Sequence, residues 1–231
     1  MTKLIGIKAV SSDVDGTLWD FDAVMRRSLR ETLLELATRD PEAAAMLDVE
    51  RMIAIRDRVH EGLRGKTSDL IEIRNEGFKQ ALRDAGRPDD ALAMHLTNVY
   101  VKHRWAGMEL FADVRPTLKV LARKYALGML SNGAMSPEDF GLEVLIDFSV
   151  SAQDHGGVEK PDPRLFQIAL EEAGCSAIEL VHVGDSLETD VSGAASAGVI
   201  SVWLNRSGAQ ADREIEPDFE ISTLTELLKI L

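Results

Sequence analysis

Short apolar runs alternate with stretches of helical periodicity along this chain, and most of the apolar runs end in glycine or acidic residues. Near the N-terminus Leu4-Ile5-Gly6-Ile7-Lys8-Ala9-Val10 reads as a strand, closed by Asp13-Val14-Asp15-Gly16-Thr17. The same punctuation returns beyond residue 110. Pro116 to Lys124 has a helical pattern, Tyr125 to Leu130 is an apolar run stopped by Ser131-Asn132-Gly133, and Phe148 to Ser151 is a short strand. A helix opens at Pro163, presents Leu165, Phe166, Ile168, Ala169 and Leu170 on one face, and stops at Gly174. Leu180 to Val183 is a strand ending at Gly184-Asp185, and Thr189 to Ala197 is a helix of small residues ended by Gly198. Val199 to Trp203 is the next strand, and the chain finishes with a strand over 217–221 and a helix over 224–231. Strands alternating with helices in this way predict an α/β fold, a parallel sheet with helices on both faces.

The stretch from Phe21 to Trp105 breaks the alternation. It is rich in helix formers, as in Arg30 to Ala37 and Glu42 to Leu47, with stops at Gly62, Gly65, Gly86 with Pro88, and Gly107. About four helices fit. A simple βαβ unit needs about 30 residues, whereas 112 lie between Leu18 and Ser131. The excess predicts a helical unit inserted after the first strand.

Composition narrows the class. The 231 residues are 45% hydrophobic and 28% charged, as in a globular protein able to bury a core. A net charge of −13 argues against nucleic acid and against an anionic membrane as partners. A single cysteine, Cys175, rules out an internal disulfide and a multi-cysteine zinc site, and reads as a small hydrophobe at a helix end. No apolar run is long enough for a transmembrane helix and no secretory signal is visible, so the expected location is cytoplasmic. His60, His95, His155 and His182 lack metal-ligand spacing, and His182, inside an apolar strand, reads as a satisfied core histidine.

The candidate chemistry sits at the strand ends. Side chains two apart on a strand share a side, so Asp13 and Asp15 project together if the extended path persists. Close like charges need a cation or a shared proton, although Asp and Gly also make ordinary turns. Ser131-Asn132-Gly133, Lys160 and Gly184-Asp185 each have an equally plain reading as turn or surface residues. Taken together they would meet at one edge of a parallel sheet, where open α/β folds bind ligands. There Asp13 and Asp15, with Asp185 or Asp190, offer hard oxygens to Mg²⁺. Ser131 offers a hydroxyl, Asn132 and Gly133 offer backbone N–H groups to phosphate oxygens, and Lys160 offers a point charge.

Four segments in order, Asp13 to Leu18, Met129 to Gly133, Glu159 to Pro163 and Val183 to Asp190, resemble the motifs of the haloacid dehalogenase superfamily. The resemblance is to its phosphatase-like members with a helical first-site cap. It implies a Rossmann-like core over 1–20 and 106–231 with an α-helical cap over 21–105. It also implies that Asp13 attacks phosphorus, while Asp15 protonates the leaving oxygen and then activates water. Thr17, Ser131, Asn132, Gly133 and Lys160 would bind the phosphoryl group, Lys160 also serving catalysis. Mg²⁺ would rest on the Asp13 carboxylate, the Asp15 backbone carbonyl and Asp185, with Asp190 orienting that shell. The family's dehalogenases lack a carboxylate at the position of Asp15, so its presence favours phosphate over a halogenated acid. The expectation is a Mg²⁺-dependent phosphatase acting on a small phosphorylated metabolite, as monomer or homodimer. The alternatives are a sugar phosphomutase, a 2-haloacid dehalogenase and a non-catalytic phosphate-binding protein. Ser11-Ser12 departs from the family, which usually has an apolar, often aromatic, residue before the nucleophile. Trp19 reads equally as a gate to the site or as plain packing. Arg64, Lys66, His103, Arg104 and Trp105 could reach a leaving group, or could simply be solvated helix-end residues.

Overall fold

The computed structural model describes residues 3–63, 65–67, 69–210 and 214–231. The chain divides into two compact units, one made of Met1–Asp20 with Glu109–Leu231 and the other of Phe21–Met108.

The first unit is a six-stranded sheet flanked by helices. Its strands are β1 (Ala9–Ser12), β2 (Ala126–Ser131), β3 (Phe148–Ser151), β4 (Leu180–Gly184), β5 (Ile200–Leu204) and β6 (Phe219–Ile221). They lie in the order β3-β2-β1-β4-β5-β6, every pair parallel. The order reverses between β1 and β4, so the carboxyl ends of these two strands form the switch point at which such sheets bind ligands. β1 and β4 are buried at every position, as strands covered on both faces must be. On one face Ala9, Leu130, Val150 and Leu180 pack with Leu165, Phe166 and Ala169 of α7 (Pro163–Ala173) and Ala194 of α8 (Ser192–Ser196). Helices α6 (Val114–Leu121) and α9 (Leu227–Ile230) pack on each other and bury Leu118, Leu121, Leu227 and Ile230.

Two elements differ from the sequence pattern, each for a physical reason. The first strand begins at Ala9 rather than Leu4, because pairing with Ala126 and Leu180 starts there. Ahead of it Ile5 is 94% exposed and Gly6 turns to a φ of +83°. The expected helix from Thr189 is preceded by a π-helical turn over Leu187–Val191, in which Val191 N–H donates to Ser186 O. Such single-turn bulges recur at functional sites, and this one carries Asp190.

The second unit is all helical. It holds α1 (Phe21–Arg39), α2 (Pro41–Ala45), α3 (Val49–Leu63), α4 (Leu70–Asp84) and α5 (Asp90–Ala106), one more than the four expected among the described residues. The extra helix is the short α2, which Asp40 caps by accepting from Ala43 N–H. Asp69 and Asp89 cap α4 and α5 in the same way. Gly62 lies inside α3 rather than ending it. Met25, Leu29, Leu36, Phe78, Leu82 and Leu96 build the core of this unit. No helix among the described residues is long and apolar enough to cross a membrane.

Candidate active site

Asp13 follows directly on β1 and is 7% exposed, its N–H donating to Val183 O of β4. Lys160 reaches it from the segment ahead of α7. The ammonium is 2.6 Å from Asp13 Oδ1 and 2.6 Å from Asp190 Oδ1, and is itself 2% exposed. Lys160 is set in place by Asn132, which donates to the Lys160 carbonyl at 3.0 Å and accepts the Lys160 N–H at 2.6 Å. The Asn132 side chain therefore positions the lysine.

Asp13, Asp185 and Asp190 bring one carboxylate oxygen each to within 4.8 Å of one another. Burial pushes Asp13 well above the usual carboxylate range and the charges of Asp190 and Asp185 push the same way, while Lys160 pulls it down. Asp185 is the exposed member, and yet the surrounding protein, with the Asp190 charge beside it, raises its carboxyl to about 6. Asp190 behaves oppositely. Burial disfavours its charge, but Lys160 and His182 together hold it below the ordinary range. Burial likewise opposes the charge on Lys160, and Asp13 and Asp190 outweigh it, holding the ammonium above the usual lysine range. Asp190 Oδ1 takes Lys160 and His182, and Oδ2 takes the Ser186 N–H at 3.1 Å. With both oxygens engaged, Asp190 is suited to orienting its neighbours.

Two glycines make this crowding possible. At Gly16 the backbone has a φ of +88°, and an added Cβ would lie 2.4 Å from Asp185 Oδ2. At Gly184 an added Cβ would lie 2.1 Å from Asp190 Cγ.

The remaining expected residues fall around this centre. Thr17 was expected to meet substrate, but it is fully buried and its hydroxyl donates to Asp185 Oδ1 at 3.1 Å, so the side chain orients that carboxylate. Asp15 is half-buried and accepts the Trp19 indole N–H at 2.8 Å. Its carboxylate is outside the three-acid cluster. Trp19, whose ring packs 6.1 Å from that of Phe140, thus supports Asp15 within the sheet unit. Ser131 ends β2, and its hydroxyl oxygen accepts the Gly133 N–H at 2.8 Å, leaving the hydroxyl hydrogen to donate. A Cβ added at Gly133 would lie 3.8 Å from Asp15 Oδ2, so this loop borders the second carboxylate.

In the helical unit Arg64 lies outside the described residues. Lys66 donates to Gly62 O at 2.8 Å, the behaviour of a helix-end lysine. Trp105 is 51% exposed and His103 sits in the last turn of α5. Cys175, just past α7, is half-buried, and burial pushes its thiol up.

His182 is buried with both ring nitrogens bonded, the satisfied core histidine the sequence suggested, but its partners Ser11 and Asp190 were not read from the sequence. Ser11 and His182 face each other in register across β1 and β4. Ser11 Oγ and His182 Nδ1 are 2.9 Å apart, and His182 Nε2 is 3.2 Å from Asp190 Oδ1. A carboxylate only accepts, so Nε2 carries the proton and Nδ1 accepts from Ser11, the pattern of a neutral imidazole. Two polar residues on one face of otherwise apolar strands were the available signal.

Burial lowers the His182 pKa from its ordinary 6.5, although Asp190 opposes the shift. Below pH 6.5 the unfolded chain then takes up a proton that the folded protein refuses, so stability falls as pH drops through that window, by at most about 1.4 kcal/mol per pH unit for one proton. The wild type is expected to lose more stability than His182→Gln between neutral and mildly acidic pH in urea titrations. Equal slopes would contradict it.

Ser12 behaves differently from Ser11. It is 4% exposed, paired in register with Met129 and Val183, and its hydroxyl has no partner. An unpaired buried hydroxyl costs on the order of 1 kcal/mol or more. Ser12→Ala is therefore expected to raise unfolding free energy by about 1 kcal/mol, and a lower denaturation midpoint would refute it.

Comparisons with known proteins agree with the fold and the motifs. The model for haloacid dehalogenase-like hydrolases matches residues 7–198. The Escherichia coli (strain K12) 5-amino-6-(5-phospho-D-ribitylamino)uracil phosphatase YigB is 29% identical, over 97% of this chain and 96% of its own. A glyceraldehyde 3-phosphate phosphatase of Methanopyrus kandleri is 28% identical over 97% of each chain. Among solved structures, a 2-haloacid dehalogenase from Pseudomonas syringae pv. Tomato DC3000 has a TM-score of 0.77 and 32% identity, covering 97% of both chains. The putative hydrolase YfnB of Bacillus subtilis, solved bound to magnesium, has a TM-score of 0.75 and 26% identity, covering 97% of this chain and 98% of its own. With a family match over most of its length and a similar sheet behind it, the chain belongs to the haloacid dehalogenase-like hydrolases.

Proposed function

We propose that the protein is a Mg²⁺-dependent phosphatase that hydrolyses a small phosphomonoester through a phosphorylated Asp13. The observation that carries this reading is the second carboxylate, Asp15, held by Trp19 two residues beyond the buried Asp13. An alkoxide leaving group needs a proton, and a halide does not. Asp15 in its protonated form can give that proton, and the resulting carboxylate can then take one from the attacking water. Splitting the transfer at Asp13 replaces one difficult step by two easier ones. Relatives named as phosphatases support the same reading.

The residues present fit a hard divalent cation. Three carboxylates gather here and a single ammonium meets two of them, leaving an excess of negative charge and a set of oxygen donors. Asp13 and Asp185, with the Asp15 backbone carbonyl, would hold Mg²⁺, which when bound neutralises charge on the phosphoryl oxygens. Thr17 fixes the Asp185 carboxylate and Asp190 fixes Lys160. Lys160, the Ser131 hydroxyl and the Asn132 backbone N–H would receive the phosphoryl oxygens, with the Gly133 N–H holding the Ser131 oxygen in place. Positioning and charge stabilisation of this kind supply most of the rate in phosphoryl transfer.

A dehalogenase is the second reading, favoured by the likeness to the Pseudomonas enzyme. Hydrolysis of an aryl phosphate with and without chelator, beside halide release from 2-chloropropionate, separates the two. Chelation is expected to slow phosphate release by roughly 10²-fold or more, reversed by added Mg²⁺. Halide release without phosphate release would overturn the phosphatase reading.

A further inference from the structure

One arginine of the helical unit stacks on a buried tyrosine, and two more act on that arginine's charge. The Arg74 guanidinium on α4 lies 4.5 Å from the centre of the Tyr100 ring on α5. Arg104 is one turn further along α5, on the face that carries Tyr100, and stacks on Phe21 at 5.2 Å. Arg56 comes from α3, which packs against α4.

The donors of Arg56 and Tyr100 exceed the acceptors that meet them among the described residues. Asp57 takes Arg56 Nε at 2.8 Å and Nη2 at 2.6 Å, leaving Arg56 Nη1 buried without a partner. Tyr100 is 0% exposed and its hydroxyl also has no partner. Arg74 stacks on the ring and makes no ion pair among the described residues. Burial holds its pKa below the usual arginine range, with Arg104 and Arg56 pushing the same way and Tyr100 and Asp57 opposing. A buried donor left unmet is costly, and a charged one more so. Such groups call for an explanation in a folded protein, and an oxyanion supplies one.

We infer that Arg56, Arg74 and Tyr100 form an anion site within the helical unit, which takes a carboxylate or phosphate group of a small molecule. The planar fork of Arg74 suits two oxygens at once. Arg56 Nη1 and the Tyr100 hydroxyl add further donors, and no proton need be transferred on binding. This goes beyond the phosphatase reading, because binding here involves no residue of the Asp13 cluster.

The test is side-chain NMR of the full chain, following the arginine Nε–H resonances as malonate or inorganic phosphate is added. Arg56→Lys and Arg74→Lys identify the signals. The Arg56 and Arg74 resonances are expected to shift to saturation. Arg74→Met should weaken binding by about tenfold or more, and Tyr100→Phe by about fivefold, as loss of a charge-assisted and of a neutral hydrogen bond respectively. Tyr100→Phe keeps the ring on which Arg74 stacks, so it tests the hydroxyl even if Arg74→Met fails to fold. Saturation by malonate alone assigns a carboxylate, by phosphate alone a phosphoryl group, and by both a general oxyanion, each in keeping with the site. Resonances that stay unmoved at roughly tens of millimolar of either anion, or binding unaltered in both variants, would overturn it. No turnover is measured, so failure here leaves the phosphatase reading standing, and loss of that reading leaves this site standing.

Discussion

Asp13→Asn is expected to lower phosphomonoester hydrolysis by roughly 10³-fold or more, with the loss in kcat. An amide is no nucleophile toward phosphorus, and nothing else at the β1 end occupies the same place. Asn is close to isosteric with Asp, so the backbone bond from residue 13 to Val183 O should persist. Stability should change far less than in a Lys160 variant, because burial and the Asp190 and Asp185 charges push Asp13 away from its charged form against the pull of Lys160, and the ammonium keeps Asp190 as its partner. Function and stability pull apart at such a residue. Steady-state kinetics beside urea denaturation check both halves, and a variant retaining a tenth of wild-type kcat would contradict the nucleophile assignment.

Lys160→Met is expected to cause the largest loss of stability, about 3–5 kcal/mol, the range for removing one partner of a buried ion pair. The ammonium touches two carboxylates at 2.6 Å with almost no solvent in reach. Without it Asp13 and Asp190 face each other across buried protein, and His182, neutral by its bonding pattern, offers Asp190 a single N–H. Pairing the change with Asp190→Asn should recover part of the loss, because the double variant removes one of the stranded charges. A double-mutant cycle from urea titrations measures that recovery. A single-variant loss under about 1 kcal/mol would place the pair among ordinary surface ion pairs and contradict the burial argument. Activity should fall in the same variant through loss of a charge offered to the phosphoryl oxygens.

Much of the sheet was legible because its strands are short apolar runs closed by glycine or acidic residues. Phe148–Ser151, and α7 from Pro163 to its stop at Gly174, stand where the pattern put them. The start of β1 was not legible, since Leu4-Ile5 is as apolar as Ala9-Val10 and only pairing with β2 and β4 decides which segment joins the sheet. The π-helical turn at Leu187–Val191 was hidden for a related reason. Ser186, His182 and Lys160 fix where Asp190 must sit, and Lys160 is distant in sequence.

The acidic cluster was readable from punctuation alone, whereas a division of labour between Asp185 and Asp190 came only with the family resemblance. Asp185 and Asp190 look alike in sequence, yet Lys160 and His182 occupy one and Thr17 steers the other. The resemblance placed Thr17 among the substrate contacts, whereas its hydroxyl bonds Asp185. It is turned inward because Gly16 brings that turn against Asp185. The partners of Ser11 and His182 emerge only from strand register, and those of Arg74 and Tyr100 only from helix packing.

The claim at the centre of this account is that Asp13 carries the phosphoryl group during turnover. Acid-quenching the protein with a radiolabelled aryl phosphate and Mg²⁺, then mapping the label by peptide mass spectrometry, tests it most directly. The account predicts acid-stable label on the peptide containing Asp13 in the wild type and none in Asp13→Asn. Turnover in the wild type with no label on that peptide, or label retained elsewhere in Asp13→Asn, would contradict it.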